Sequence, residues 1–327
     1  MSGLRIAAVT SSFINNYYLF SKPNCGRIKT RLFSTTYSAN MKYVQFIYKN
    51  EPQKIRAGYI ENDDVIDINK NNPSIPPTLL SILNGGFISD VQRLKESKPS
   101  AEPKSTVTLV APITGMDKII CVGLNYADHC KEQNKEPPSV PMMFSKFTSC
   151  VIGQNEPLRV RTGVAEKVDW EVELVVVMGG KCSNVKAADA LKYIFGYTVA
   201  QDITSRDWQQ KNSGQFLLGK AQDNFCPLGP WITTADEIGD PHTLDIKCSV
   251  NGVQKQTSNT SNLIFKIPEL IERLSSVLTL LPGDIILTGT PGGVGVHRSP
   301  PEFLKPGDVL RSEVQKIGAF EVKVAKF

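Results

Sequence analysis

The chain after residue 113 consists largely of short runs rich in β-branched and aromatic residues, separated by connections rich in Gly, Pro and Asn. Five of these runs are "KIICVGLN", "VDWEVELVVVM", "FGYTVAQD", "LDIKCSVNG" and "DIILTGTP". Many short strands with turn residues between them are typical of a closed or rolled sheet rather than of a doubly wound parallel sheet. The sequence therefore predicts a mostly β fold with a few helices.

Two segments of this region have a strong helical pattern. One is "VKAADALKYIFG", which we expect to end at Gly196, and the other is "IPELIERLSSVLTLLPGD", which we expect to end at Pro282. In the second segment Pro268 occupies an early helical position, where the missing N–H costs little. Its predicted apolar stripe consists of Leu270, Leu274 and Val277.

A separate pattern precedes this region and predicts a small N-terminal domain over residues 41–105. Two β-rich runs flank the turn-forming residues 62–64, which indicates a hairpin, and "PTLLSILNGG" predicts a short helix that ends at its two glycines. The polar, proline-bearing stretch 95–105 is typical of a linker or an exposed edge. We therefore place the catalytic domain at residues 113–327.

Residues 1–33 have the composition of a mitochondrial presequence. They hold five basic and no acidic residues among many Ser, Thr and Asn, and the first acidic residue of the chain is Glu51. Arg31 lies two residues before a plausible cleavage point between Phe33 and Ser34. Removal of the presequence would take away the whole net charge of +5, so this charge does not indicate a nucleic-acid partner. We expect a protein of the mitochondrial matrix.

Cysteine usage and hydropathy exclude several other classes. The chain has seven cysteines, an odd number, and no CxxC pair, which argues against a disulfide framework and against a zinc site. Buried free thiols are the expected state, with a catalytic cysteine as the alternative. No run approaches the roughly 18 apolar residues of a membrane span, so we expect none.

The strand "DWEVELVVVMGG" carries three carboxylates into an apolar run. Because side chains alternate along a strand, Asp169, Glu171 and Glu173 would share one face. Two ionised groups so close repel each other unless water or a cation separates them. The face is therefore either a solvated acidic surface or part of a metal site.

Asp202 ends another predicted strand, "GYTVAQD", and strengthens the metal interpretation. Two carboxylates from one strand and one from the end of a second strand make an all-oxygen site, which suits Mg²⁺, Mn²⁺ or Ca²⁺ rather than Zn²⁺. The alternative for Asp202 is a helix cap or an ion pair with Arg206.

His129 and Glu132 form an HxxE pair in "NYADHCKEQNKEPP". On a helix both would project from one face, where the carboxylate could orient the imidazole and water would be the group activated. A surface ion pair is the alternative interpretation. Of the other two histidines, His242 has the pattern of a turn residue, whereas His297 follows a glycine-rich loop and is compatible with either role.

Two further features could serve an anionic substrate. Lys220 follows an apolar run, so its ammonium could be desolvated and stabilise an enolate, unless it simply extends to solvent. The loop "GTPGGVG" could present backbone N–H groups and the Thr290 hydroxyl to a carboxylate, or it could be a tight structural turn. It lacks the GK[ST] of a phosphate loop and the spacing of a dinucleotide fingerprint.

Together these segments resemble the fumarylacetoacetate hydrolase family. The matching text is "GLNYADHCKE", "DWEVELVVVMG", "TVAQDITSRDWQ", "LLGKAQDNFCPLGP", "NTSNLIF" and "PGDIILTGTPGGVG", in the family's order. The resemblance implies a mixed β-roll or β-barrel catalytic domain and a homodimer. It also implies roles for nine side chains: Glu171, Glu173 and Asp202 as ligands of Mg²⁺ or Mn²⁺, His129 with Glu132 as a dyad on a mobile lid, Lys220 as a catalytic cation, and Gln209, Arg206 and Thr290 as substrate contacts. Leu124 departs from the pattern, since many relatives have arginine there.

The implied substrate is a small 2-oxo acid, whose enolate the metal and Lys220 would stabilise. Within the family, the most similar branch is associated with keto–enol tautomerisation of oxaloacetate, which is the predicted reaction. The intact HxxE pair keeps hydrolysis of an acylpyruvate carbon–carbon bond as an alternative, together with oxaloacetate decarboxylation. A catalytically idle member that keeps the fold and the metal is the remaining alternative.

Overall fold

The computed structural model describes residues 40–211 and 213–327, and strands dominate this part of the chain. The predicted presequence, residues 1–33, lies outside the described residues. Eighteen strands occur within them: β1 (Lys42–Tyr48), β2 (Glu51–Glu61), β3 (Asp64–Asp67), β4 (Val107–Val110), β5 (Ile119–Gly123), β6 (Met142–Lys146), β7 (Val151–Ile152), β8 (Leu158–Val160), β9 (Val168–Asp169), β10 (Val172–Met178), β11 (Ile194–Gln201), β12 (Thr204–Ser205), β13 (Cys226–Thr234), β14 (Asp245–Val250), β15 (Val253–Asn259), β16 (Ile285–Leu287), β17 (Val309–Val314) and β18 (Gly318–Lys326).

The helices of the described chain are short. There are nine: α1 (Ile68–Asn71), α2 (Leu79–Gly85), α3 (Ile88–Glu96), α4 (Ala127–Glu132), α5 (Ala187–Ala190), α6 (Arg206–Lys211), α7 (Leu217–Lys220), α8 (Ala235–Ile238) and α9 (Ile267–Val277). Single 3₁₀ turns cover Lys104–Thr106, Thr148–Cys150, Leu191–Tyr193, Thr260–Asn262 and Gly295–His297. None of the described helices has the length and apolar content needed to cross a bilayer.

An eleven-stranded sheet forms the centre of the fold, in the order β3-β2-β1-β13-β11-β10-β16-β5-β6, with β4 added on β1 and β7 on β13. Most neighbours are antiparallel, whereas β5 with β16 and β7 with β13 are parallel. The mostly β prediction is confirmed. The path of the sheet ends at β3 and at β6, so the sheet is not a closed barrel.

The central strand β10 is buried on both sides, which explains its continuous apolar run. Val172, Leu174 and Val176 face one core, and Val175 and Val177 face another. The first core is covered by a second sheet of five strands in the order β15-β14-β17-β18-β8. Polar side chains at the ends of β10 and β11 are therefore enclosed by protein on both faces.

The N-terminal segment joins the same large sheet, since β1 pairs with β13. The predicted hairpin is present between β2 and β3, and Asn62 and Asp63 both have positive φ, as its two-residue turn requires. The predicted helix over "PTLLSILNGG" is α2, which ends at Gly86 in the left-handed conformation. The division into domains at 41–105 and 113–327 stays a prediction.

Two helical predictions need correction. "VKAADALKYIFG" forms only the single turn α5 and a 3₁₀ turn, because Ile194 begins the buried strand β11. The second predicted helix is α9, but it ends at Val277, which is 78% exposed and so does not belong to the apolar stripe. Part of the predicted linker is also helical, since α3 extends to Glu96.

Candidate metal and substrate site

Three buried carboxylates meet at one end of the central strands. Glu173 belongs to β10, Glu171 directly precedes this strand, and Asp202 directly follows β11. Because β10 and β11 are antiparallel, with Val172 opposite Gln201, the start of one strand lies beside the end of the other. One oxygen from each of the three carboxylates lies within 4.8 Å of the others. The solvated acidic surface considered for this strand is therefore not what forms.

Asp169 does not share the face that a continuous strand would give it. Strand pairing is interrupted at Trp170 and Glu171, between β9 and β10. Asp169 Oδ1 accepts hydrogen bonds from the backbone N–H groups of Trp170 (2.8 Å) and Gly295 (2.6 Å), and its Oδ2 accepts one from Val296 (3.0 Å). This carboxylate fixes the glycine-rich loop rather than joining the cluster of three.

Two buried lysines contact the cluster. Lys220 Nζ donates to Glu171 Oε2 (2.5 Å) and to Asp202 Oδ2 (2.6 Å), so it does not extend to solvent. Lys146 Nζ donates to Asp202 Oδ1 (2.7 Å) and to the carbonyl groups of Ile203 (3.1 Å) and Lys220. Lys146 thus ties one carboxylate of the cluster to the helix that carries Lys220.

Arg206 is the third buried cation of the site. Its Nε donates to Asp169 Oδ2 (2.9 Å), its second guanidinium nitrogen lies 2.6 Å from Glu171 Oε1, and the third donates to Gln209 Oε1 (3.2 Å). The ion pair between Arg206 and Asp202 that the sequence left open is not formed, because Asp202 is paired with the two lysines.

The pKa values of the carboxylates show an incomplete balance of charge. Burial raises the pKa of Glu171, but Lys220 and Arg206 outweigh it and bring this pKa to about 2. The pKa of Glu173 is raised well above its ordinary value by burial and by the charges of Asp202 and Glu171. Glu173 therefore holds a proton readily unless a further cation is bound beside it.

A hard divalent cation fits this donor set. The cluster offers three carboxylates with oxygen atoms at mutual distances that one ion can bridge, and no sulfur or imidazole among them. With Asp169 included, four buried carboxylates face the three cations Lys146, Arg206 and Lys220 in this part of the described chain, which leaves one negative charge. These three carboxylates could hold a divalent metal ion.

His129 and Glu132 lie on α4 and contact each other, with 3.0 Å between Nδ1 and Oε2. His129 is buried, so the pair is not a surface ion pair. The side-chain nitrogen of Gln133 lies 2.9 Å from His129 Nε2. An amide nitrogen only donates, so His129 Nε2 accepts this hydrogen bond. Nδ1 therefore carries the imidazole proton and donates a hydrogen bond to Glu132. Burial raises the pKa of Glu132, but hydrogen bonds from His129 and the Gly293 N–H lower it overall.

The glycine-rich loop binds carboxylates, as its sequence suggested, but they are the protein's own. The Gly289 N–H donates to Glu173 Oε2 (2.6 Å), and the Gly293 N–H donates to Glu132 Oε1 (2.8 Å). Gly293 has φ of 99°, and a Cβ there would lie 2.2 Å from the Lys255 carbonyl oxygen, so only glycine fits. The loop therefore connects the cluster of three carboxylates to the His129–Glu132 pair.

A cavity of about 400 Å³ lies over these groups. Its lining includes every residue of the predicted site except Glu132: His129, Glu171, Glu173, Asp202, Arg206, Gln209, Lys220 and Thr290. The Thr290 hydroxyl is already engaged, because it donates to the Val172 carbonyl (3.0 Å) and accepts from Gln256 (2.8 Å). The functions of these side chains, and the mobility of α4 as a lid, stay predictions.

Two polar residues of the site escaped the sequence analysis. Gln133 had a detectable signal, because it lies four residues after His129 and so on the same face of a helix. Lys146 had none, since its carboxylate partner is 56 residues away and β6, which carries Lys146, is not a neighbour of β11 in the sheet. His297, for which two roles were open, lines the cavity.

The chain is similar to known proteins over most of its length. Residues 118–325 match the model of the fumarylacetoacetate (FAA) hydrolase C-terminal family. The chain is 46% identical over 290 residues to a Rattus norvegicus protein named "Oxaloacetate tautomerase Fahd2a, mitochondrial", which covers 87% of this chain and 92% of the relative. It is 39% identical over 293 residues to the Dictyostelium discoideum "Fumarylacetoacetate hydrolase domain-containing protein 2 homolog", covering 85% of this chain and 95% of the relative.

Two solved structures have the same fold. The fumarylacetoacetate hydrolase from Exiguobacterium antarcticum superimposes with a TM-score of 0.79 at 31% identity, covering 88% of this chain and 100% of the other. The maleylpyruvate hydrolase from Sphingobium sp. SYK-6, solved with a manganese(II) ion and pyruvate, gives a TM-score of 0.72 at 30% identity, with coverage of 88% and 99%. The chain therefore belongs to the fumarylacetoacetate hydrolase family.

Proposed function

We propose that this protein is an Mg²⁺- or Mn²⁺-dependent enzyme that enolises 2-oxo acids, with the keto–enol tautomerisation of oxaloacetate as its reaction. The observation that carries the proposal is the buried cluster of Glu171, Glu173 and Asp202 at a cavity that also contains Lys220 and His129. The names of relatives such as the rat oxaloacetate tautomerase support the choice of substrate. The manganese and pyruvate in the maleylpyruvate hydrolase structure support the choice of a divalent metal.

A divalent cation held by the three carboxylates would supply Lewis acidity to the carboxylate and 2-oxo oxygens of the substrate. Lys220 adds a second positive charge, because its buried ammonium already lies against two carboxylates of the cluster. Burial in a low dielectric strengthens its attraction for an oxygen that becomes negative during enolisation. Lys146 and Arg206 keep the surrounding carboxylates in place.

His129 is the group suited to move the proton at C3. The Nδ1–H group is held by Glu132, and the unprotonated Nε2 accepts from Gln133, which also lines the cavity, so Gln133 must release Nε2 before this nitrogen takes a proton from the substrate. In the direction from enol to keto, the enol oxygen loses its proton and C3 gains one, so no net proton is consumed. Glu132 stabilises the imidazolium formed on the way. Gln209 and Thr290 are proposed to contact the substrate, together with the Arg206 guanidinium.

Hydrolysis of an acylpyruvate carbon–carbon bond is the second candidate function. The same imidazole could instead deprotonate a water molecule, which would then attack the second carbonyl group of the substrate. The 3.0 Å contact between His129 and Glu132 favours this candidate, because an oriented base is what the hydrolysis needs. The maleylpyruvate hydrolase among the similar structures is consistent with it.

One experiment separates the two reactions. Purified protein beginning at Ser34 is given enol-oxaloacetate with Mg²⁺ and then with EDTA, and loss of the enol is followed by ultraviolet absorbance while total oxaloacetate is measured. Acetylpyruvate cleavage is measured in parallel. Metal-dependent loss of the enol with oxaloacetate retained supports the tautomerase, whereas cleavage of acetylpyruvate supports the hydrolase. Inactivity on both compounds would contradict an enzymatic role.

We further propose that the protein works in the mitochondrial matrix as a homodimer, after removal of residues 1–33. The basic, acid-free composition of these residues supports import, and relatives from Rattus norvegicus and Homo sapiens are named mitochondrial. Protease protection in isolated mitochondria, followed by N-terminal sequencing, would test import and cleavage. A mass that corresponds to a single chain in solution would contradict the dimer.

A further inference from the structure

Five side chains that line the cavity can carry positive charge, and three of them already have carboxylate partners. Lys220 contacts Glu171 and Asp202, Arg206 contacts Asp169 and Glu171, and His129 contacts Glu132. The other two are Lys135 and His297. Neither forms an ion pair with any carboxylate of residues 40–211 and 213–327. They are thus available to an anion that enters from outside.

His297 is held in place by its backbone neighbours. It ends the 3₁₀ turn Gly295–His297, whose first two N–H groups are bound by the Asp169 carboxylate at 2.6 Å and 3.0 Å. The same carboxylate binds Arg206, which contacts Glu171 of the cluster. The His297 side chain itself is exposed, and its ring centre lies 6.1 Å from that of His129. The backbone that carries His297 is therefore fixed, and its imidazole lines the cavity beside the proposed base.

Lys135 approaches the cavity from a different element. Its backbone N–H donates to the Cys130 carbonyl (3.0 Å) just after α4, and its exposed side chain lines the same cavity. The lining also includes the apolar side chains of Leu124 and Met142. The cavity thus combines a buried acidic cluster with two exposed basic groups. This polarity suits a molecule with one chelating end and one anionic end.

We propose that His297, assisted by Lys135, binds the second carboxylate of a 2-oxo dicarboxylic acid and thereby selects dicarboxylic over monocarboxylic substrates. The inference rests on the proposed function, which assigns the 2-oxo acid end of the substrate to Glu171, Glu173 and Asp202. His297 donates an imidazole N–H to the distal carboxylate, and Lys135 adds positive charge. The apolar Leu124 side chain cannot provide this contact.

Binding of two non-reacting ligands tests the inference without any turnover. (S)-Malate and (S)-lactate are 2-hydroxy acids that share the chelating end and differ in the distal carboxylate. Isothermal titration in the presence of Mg²⁺ measures both affinities for the wild-type protein, His297→Phe, Lys135→Gln and the double variant. Lys131→Gln is the matched control, because Lys131 is an exposed lysine of α4 that does not line this cavity.

The wild-type protein should bind malate more tightly than lactate by about tenfold or more, as expected for a charge-assisted hydrogen bond. His297→Phe should weaken malate about fivefold to tenfold and leave lactate within about twofold, because only the distal contact is lost. Lys135→Gln should have a smaller effect in the same direction, and Lys131→Gln should have none. Thermal unfolding of each variant checks that the fold is kept, which the exposure of both side chains favours.

Several results would overturn the inference. Equal affinity of the wild-type protein for malate and lactate would show that no distal site exists, and equal losses for both ligands in His297→Phe would show a general rather than a distal effect. Absence of binding by both ligands would overturn it as well. Failure of the proposed function would give a different result, because the protein would then still bind malate more tightly than lactate but would not convert enol-oxaloacetate.

Discussion

Replacement of Glu173 by glutamine should stabilise the metal-free protein and strongly reduce its stabilisation by metal. Glu173 is 1% exposed, and its pKa is raised by burial and by the charges of Asp202 and Glu171. With oxygen atoms no more than 4.8 Å apart, each pair of negative charges repels by about 3.5 kcal/mol at an effective dielectric constant of 20. Lys220 and the Gly289 N–H offset part of this repulsion. Glutamine keeps the shape and accepts the same N–H.

In EDTA at pH 7.5, we therefore expect the free energy of unfolding of Glu173→Gln to exceed that of the wild type by about 1–3 kcal/mol. This is the part of the repulsion that Lys220 and the Gly289 N–H do not offset. The sign depends on pH. The unfolded carboxyl ionises near its ordinary pKa of about 4.3, whereas the folded one keeps its proton to higher pH. The folded wild type thus binds more protons, so its stability falls as pH rises above about 4.3, and the advantage of glutamine grows.

Urea unfolding at several pH values, with EDTA and with Mg²⁺, measures both effects. At a metal concentration 100 times its dissociation constant, the wild type should gain about 2.7 kcal/mol and the variant much less. A variant that is less stable than wild type in EDTA would refute the charge argument. Equal stabilisation of both proteins by Mg²⁺ would refute the role of Glu173 as a ligand.

Three further predictions concern other parts of the site. Lys146→Met should lower the free energy of unfolding by about 3–5 kcal/mol in urea titrations, because it leaves Asp202 with one buried cation fewer. Lys192→Met should have little effect, because Lys192 forms a solvated ion pair with Asp189. Comparable losses in both variants would contradict the buried ion pair. Glu132→Gln should lower kcat about 10²–10⁴-fold by weakening the orientation of His129, and an unchanged kcat would exclude the dyad from the rate-limiting step. Gly293→Ala should lower the melting temperature far more than Gly307→Ala. Both glycines have φ near 100°, but of the two only Gly293 has a backbone oxygen 2.2 Å from the added carbon. Equal losses in the two variants would show that this close approach does not limit the substitution.

The sequence predicted the features that depend on local patterns. The turn between β2 and β3, the end of α2 at its two glycines and the spacing of His129 and Glu132 on one helical turn all follow from residues close together in the chain. The cluster of Glu171, Glu173 and Asp202 was also predictable, because a buried strand with acidic residues needs a compensating charge.

Features that depend on distant strands were less accessible. Alternation placed Asp169 with Glu171 and Glu173, but the interruption at Trp170 turned it towards the loop at Gly295. The segment "VKAADALKYIFG" has helical composition throughout, yet its last three residues belong to β11, which pairs with β10 and β13, because a buried place in the central sheet outweighs local propensity. Lys146 contacts Asp202 although β6 and β11 are separated by three strands in the order of the sheet, a tertiary contact that no local pattern indicates.

This cavity should enolise a 2-oxo acid when the three carboxylates hold a divalent cation. Exchange of the C3 hydrogens of oxaloacetate for deuterium, followed by proton NMR in D₂O, measures enolisation directly. With Mg²⁺, the wild-type protein should accelerate this exchange above the protein-free rate at the same metal concentration, and EDTA or Glu173→Gln should remove the acceleration. Acceleration that persists in EDTA, or an exchange rate no faster than that with free Mg²⁺, would show that the cavity does not perform metal-dependent enolisation.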